Sequence, residues 1–217
     1  MLDLALVGFF GIFAFRAAKP HRDEIDIIPK GLADKLTKLW GVAHDSMRES
    51  KLLRAEKALL TILKIDEKNA VAYNRLGILY AKQKEYKDAI DCFEIASSIA
   101  PSASSYHNLG LIYYETEHYD KASVAFEEAL KLEDSFAARH IAYAKVQEKL
   151  GNEKLMFHEL ERAAELEPNK ETYLLLQRAY ETHDMVEKSM EMDKKLHTLV
   201  VPSGRPKRVL RPRKVVV

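Results

Sequence analysis

Hydrophobic positions follow two regimes along the chain. Leu4 to Phe15 reads LALVGFFGIFAF, twelve consecutive apolar or glycine positions, and the stretch from Leu2 to Ala18 is broken only by Asp3 and Arg16. From Leu32 to position 199 apolar and polar residues interleave instead, in a pattern that repeats itself. The first regime predicts one hydrophobic helix. The second predicts packed units with one face inside and one outside. Glycine and proline number 8 and 7 in 217 residues, too few for the many turns of an all-β chain.

As a helix, residues 2–18 would be about 26 Å long, slightly short of a bilayer core of about 30 Å. Arg16 can snorkel to one interface while Asp3 sits at the other. Phe9, Phe10, Phe13 and Phe15 cover more than one helical face, which suits lipid better than a one-sided core. A single membrane anchor is the favoured reading of residues 1–18. A cleaved signal peptide would start with a basic region, whereas this chain starts Met-Leu-Asp; a capping helix on a soluble domain is the third reading. Arg16, Lys19 and Arg22 follow the segment, so the positive-inside rule places the rest of the chain in the cytoplasm.

Self-comparison exposes the repeat. Residues from Tyr73 read YNRLGILYAKQKEYKDAIDCFEIASSIAP, and residues from Tyr106 read YHNLGLIYYETEHYDKASVAFEEALKLED. Tyr73/Tyr106, Leu76/Leu109, Gly77/Gly110, Tyr80/Tyr113, Tyr86/Tyr119, Ala89/Ala122, Phe93/Phe126 and Ala96/Ala129 match at an offset of 33. This pattern resembles the tetratricopeptide repeat, an antiparallel pair of helices A and B. Gly77, Gly110 and the alanines are small where helices cross, and the aromatics fill the wider gaps. Pro101 fits the closing position of the unit, and Asp134 departs from it.

Weaker copies flank the strong ones. Residues 137–169 carry Tyr143-Ala144 in place of Leu-Gly, then Leu160, Ala163 and Pro168, at an offset of 34. Tyr173, Leu176 and Tyr180 mark a further helix A, and Leu32–Arg48 with Lys51–Ile65 form a pair upstream. The resemblance implies an all-α fold, a right-handed superhelix (α-solenoid) of about five antiparallel helix pairs. The organisation is then an anchor helix with its basic flank (1–22), a linker (23–31), the solenoid (32–199) and a basic tail (200–217). Within the solenoid the strong repeats are 70–102 and 103–135, the weaker one is 137–169, and the ends are divergent, as terminal units need a polar outer face. The layout is similar to that of N-terminally anchored bacterial members such as lipopolysaccharide assembly protein B, without its cysteine-rich metal-binding module.

By the family's spacing, helix A residues line a concave face. Val71, Asn74, Arg75, Ile78 and Lys82 face inward in the first strong unit. Ser104, His107, Asn108, Leu111, Tyr114 and Glu115 do so in the second, and Ala138, Ile141, Ala142, Lys145 and Lys149 in the third. This mixture of apolar anchors, amides and charges suits a peptide or helix of a partner protein. Chaperone-docking members clamp a terminal carboxylate with Lys, Asn and Arg. Here Asn108 fits one such place, but Asn74, Ile78, Ala138 and Ala142 occupy the others, which argues against a clamp.

Charge and chemistry refine the picture. The net charge is +1, yet the tail holds Arg205, Lys207, Arg208, Arg211, Arg213 and Lys214 without an acid, which leaves residues 23–199 acidic. Pro206 and Pro212 keep the tail from folding alone, and its cations suit anionic lipid or nucleic-acid phosphate. The lone Cys92 excludes internal disulfides and CxxC sites and reads as a buried small residue. The eight histidines form no HExxH or paired ligand spacing, and no phosphate-binding glycine loop or Gly-x-Ser-x-Gly elbow is present. No cofactor, metal site or catalytic residue is expected. The resulting expectation is a membrane-anchored adaptor rather than an enzyme. The alternatives are an extracytoplasmic module of a secretion or envelope complex, and a soluble RNA- or ribosome-associated adaptor using the tail.

Overall fold

The computed structural model describes residues 29–200. Among the described residues there are ten helices and no strand. They are α1 (Lys30–Arg48), α2 (Leu52–Ile65), α3 (Ala70–Gln83), α4 (Tyr86–Ile99) and α5 (Ala103–Glu115), followed by α6 (Tyr119–Leu132), α7 (Ala137–Lys149), α8 (Glu153–Leu166), α9 (Lys170–Thr182) and α10 (Val186–Val200). The apolar segment 1–18 and the tail cations from Arg205 to Lys214 lie outside these residues. Among the described residues no helix is long and apolar enough to cross a membrane.

Five helix–turn–helix units follow one another, and the turns show the repeat more fully than the side chains do. Ser50, Lys84, Glu117, Gly151 and Asp184 all have positive φ, between 56° and 73°. The next residue then donates its N–H to a carbonyl five positions back. These bonds are Lys51 to Ser46 (2.8 Å), Glu85 to Tyr80 (2.9 Å), His118 to Tyr113 (2.8 Å), Asn152 to Gln147 (2.9 Å) and Met185 to Tyr180 (2.9 Å). This closure satisfies carbonyls that the end of a helix otherwise leaves unpaired. Glycine, the residue that adopts this conformation freely, occupies one of the five positions. The weakly matching ends thus share the turn of the strong repeats.

Three helix starts are fixed by side chains. Asn69 accepts from the Ala72 amide (2.9 Å) and Ser102 from the Ser105 amide (3.1 Å). Asn169 and Thr172 form a reciprocal capping box on α9. Within the strong repeats the crossing glycines are required sterically. A Cβ on Gly77 would stand 2.6 Å from the Phe93 ring, and one on Gly110 would stand 2.9 Å from Phe126. Both rings are almost wholly buried, each 1% exposed.

Each unit is also tied to the one before it. Tyr80 donates to Glu56 (3.0 Å), Tyr113 to Glu94 (2.6 Å) and Tyr180 to Glu161 (2.5 Å). At the equivalent position of the third repeat Gln147 donates to Ser123 (2.9 Å). Burial and the Glu56 carboxylate push the Tyr80 phenol up to about 12, so it remains a donor at any physiological pH. One hydrophobic cluster runs through Phe93, Leu109, Tyr113, Phe126, Tyr143 and Val146. A second gathers Met156, Phe157, Leu160, Leu176, Tyr180 and Met192.

Candidate functional site

Helices α3, α5 and α7 are the A helices of consecutive units. α3 touches α5, and α5 touches α7. The structure brings two of the expected site residues into direct contact: Asn108 Nδ2 donates to Asn74 Oδ1 at 3.3 Å, bridging adjacent units. Arg75 lies over the Trp40 ring at 5.6 Å, so part of its charge is directed toward an aromatic face. Ile78 and Tyr114 are half-buried against the first cluster, and Tyr114 meets Tyr119 edge-on with ring centroids 5.6 Å apart. Leu111 remains 39% exposed and Val71 58% exposed. Lys82 and Lys145 are exposed.

His107 is the least satisfied residue of this face. Its ring packs edge-on against Phe126 with centroids 5.4 Å apart, and its Nδ1 is buried without a hydrogen bond. Burial, with a smaller contribution from the Arg139 charge, lowers its pKa below the ordinary histidine value, so the ring is neutral near pH 7. An unbonded buried nitrogen costs about 1–3 kcal/mol.

A polar core in the third repeat went unnoticed in the sequence. His140 Nδ1 lies 2.6 Å from Glu159 Oε2, and its Nε2 lies 2.8 Å from the Asp134 carbonyl; His158 reaches the other Glu159 oxygen at 3.0 Å. Both His140 nitrogens face acceptors, so the ring donates twice and carries a charge. Burial opposes that charge, but the bonds to Glu159 and the Asp134 carbonyl outweigh it and hold the pKa above the ordinary value. Burial likewise opposes the Glu159 carboxylate, and the two histidine bonds outweigh it and lower its pKa. Arg139 bonds the Glu133 carbonyl (2.9 Å) and carboxylate (2.8 Å). Together these side chains hold the connector that lacks the closing proline. The signal available in the sequence was the register: His140 takes the place of Tyr73 and Tyr106, and Glu159 that of Cys92 and Ala125. Cys92 itself is buried, and burial with the nearby Asp88 and Asp91 pushes its thiol up to about 11, away from reactivity.

Residues 68–135 match the tetratricopeptide repeat family. A crystal structure of MamA protein is similar over 80% of this chain and 100% of that one, with 19% identity and a TM-score of 0.67. MamA 41-end from Desulfovibrio magneticus RS-1 is similar over 76% and 95%, with 15% identity and a TM-score of 0.68. YrrB, a TPR protein with an unusual peptide-binding site, is similar over 73% and 82%, with 21% identity and a TM-score of 0.61. No curated protein matches the chain. The tetratricopeptide solenoid fold is therefore shared well beyond residues 68–135. Among the described residues no group of three or more His, Cys, Asp or Glu side chains is placed to hold a metal ion.

Proposed function

We propose that this chain is a tetratricopeptide scaffold that binds a peptide or helix of a partner protein along the face of α3, α5 and α7. The observation that carries this reading is the mixture on that face. Exposed Val71 and Leu111 share it with the amides of Asn74 and Asn108. Such a surface gains by being covered, because apolar area is removed from water. The peptide-binding site of the structurally similar YrrB adds support to this reading.

The apolar segment 1–18 serves as a single-pass anchor, with Arg16, Lys19 and Arg22 keeping the repeats on the cytoplasmic side. The tail cations contact anionic headgroups of the same membrane, and anchoring raises the local concentration of whatever the repeats hold. The test is crosslinking pull-down of the full chain beside an Ile78→Glu/Leu111→Glu variant, together with membrane fractionation of the full chain and of a chain starting at Asp23. Partner crosslinks lost in the double variant are expected, as is carbonate-resistant membrane association lost on removing residues 1–22. Crosslinks indifferent to the double variant would remove this face from the function.

A further inference from the structure

The strong repeats fill with their own side chains a space that the third repeat leaves open. Phe93 lies on Gly77 and Phe126 lies on Gly110, so closely that neither glycine can carry a Cβ without displacing the ring. One register later Ala144 takes the glycine's place and Leu160 the phenylalanine's. The Cβ of Ala144 forbids a ring there, and the shorter Leu160 does not reach as far. The outcome is a pocket of about 180 Å³ between α7, α8 and α9. Ala144, Met156 and Leu160 form its buried floor, while Ile141, Leu175 and Ala179 form half-buried walls.

The mouth of this pocket is charged. Lys145 and Arg178, at the register position held by Ile78 and Leu111 in the strong repeats, stand there with Glu148. Both cations are exposed, and among the described residues neither has an ion-pair partner within 4.0 Å. The size also limits the occupant. Sites for cofactors and drug-sized ligands run to roughly 300–1,000 Å³, whereas one water takes about 30 Å³. Between those limits fits one side chain.

The geometry points to a subsite that seats one apolar side chain of an acidic peptide segment, with the segment's carboxylates opposite Lys145 and Arg178. This inference rests on the partner-binding reading above and names the chemistry of the partner. The chain's own basic tail does not suit the place, because Arg205, Lys207 and Arg208 repeat the sign of the rim.

The experiment uses an end-blocked, fluorescein-labelled peptide, Gly-Ser-Asp-Glu-Leu-Glu-Asp-Ser-Gly, titrated by anisotropy against the full chain at low and high salt. Blocking the ends keeps a terminal carboxylate from contributing. Replacing the peptide's leucine by serine should weaken binding about ten- to hundredfold. The Ala144→Gly/Leu160→Phe variant recreates the ring-on-glycine pair of the strong repeats, and it should weaken binding by a similar factor. The peptide substitution needs no altered protein, so the test survives if that variant folds poorly. Lys145→Gln/Arg178→Gln should lower affinity several-fold and flatten its salt dependence.

An affinity untouched by both the leucine replacement and the filled pocket would overturn the subsite. So would binding that survives replacement of the four acids by glutamine, or no binding of the probe to the unaltered chain. Each of these three failures leaves the broader reading to stand or fall separately, on whether partner crosslinks depend on Ile78 and Leu111.

Discussion

In the two strong repeats a phenylalanine ring lies on a glycine; in the third a leucine takes the ring's place beside an alanine, and a charged histidine meets a glutamate. Phe93 and Phe126 fill their crossings by shape alone. The third repeat replaces that fit with directed bonds, from His140 to Glu159 and from Arg139 to the Glu133 carbonyl. Departure from the repeat signature is thus an exchange of one source of order for another. The exchange leaves apolar space open at the face where a partner would approach.

The largest effect should come from removing a ring. Phe93→Ala is expected to cost about 3–5 kcal/mol, because a wholly buried aromatic is lost and a cavity remains. Gly77→Ala should cost about 1–3 kcal/mol by overpacking the same contact. Gly77→Ala/Phe93→Leu, which copies the third repeat, should then cost less than the sum of its parts. Chemical denaturation of the unaltered chain, Gly77→Ala, Phe93→Leu and the double variant measures the coupling; strict additivity would break the comparison between the two crossings.

Next comes the buried pair. Glu159→Ala should cost about 3 kcal/mol, since it strands a buried imidazole, whereas His140→Tyr/Glu159→Ala restores the residues of the second repeat and should come close to neutral. The pH dependence has a definite sign. The raised pKa of His140 gives stability that is complete below the unfolded histidine value and fades as pH rises through the folded one. The lowered pKa of Glu159 gives stability that is complete above the unfolded carboxylate value and fades as pH falls through the folded one. The advantage of the native pair over the double variant should therefore peak between about 4.5 and 6.5, the ordinary values of the two groups. Melting curves of both proteins across pH 3–9 check this, and a difference that stays flat would remove the charge from His140.

Smaller effects concern the joints between and within units. Tyr113→Phe, which loses the 2.6 Å bond to Glu94, should cost about 0.5–1.5 kcal/mol, and Tyr180→Phe should behave alike. Glu117→Gly should stabilise by about 1 kcal/mol or less, because it relieves a left-handed backbone that glycine adopts freely while loosening the unfolded chain. Thermal melts resolve both. A destabilised Glu117→Gly would mean that the side chain, rather than the backbone, fixes that turn.

How much of this was legible in the sequence depended on spacing. Gly77, Phe93 and their partners 33 positions later announced the helix pairs, since each acts locally and repeats. Four of the five left-handed turns were hidden, because Ser50, Lys84, Glu117 and Asp184 carry no glycine signal and hold their conformation through backbone bonds. His140 and Glu159 lie 19 positions apart, and neither belongs to a motif; the repeat register alone aligns them with Tyr106 and Ala125. Of the expected face, Asn74 with Asn108 is a contact, Arg75 is directed onto Trp40, and Lys145 belongs to a pocket whose floor comes partly from another helix. That pocket arises from two substitutions acting together, which a position-by-position reading passes over.

The bonds between successive units have a bearing on how the chain is made. Tyr80 to Glu56, Tyr113 to Glu94 and Asn74 to Asn108 join residues no more than 34 positions apart. Closing such short loops costs little entropy, and topologies built from near neighbours fold quickly. During synthesis at about 5–20 residues per second, each unit can settle on its predecessor before the next has left the ribosome, so no large apolar surface has to wait for the far end of the chain.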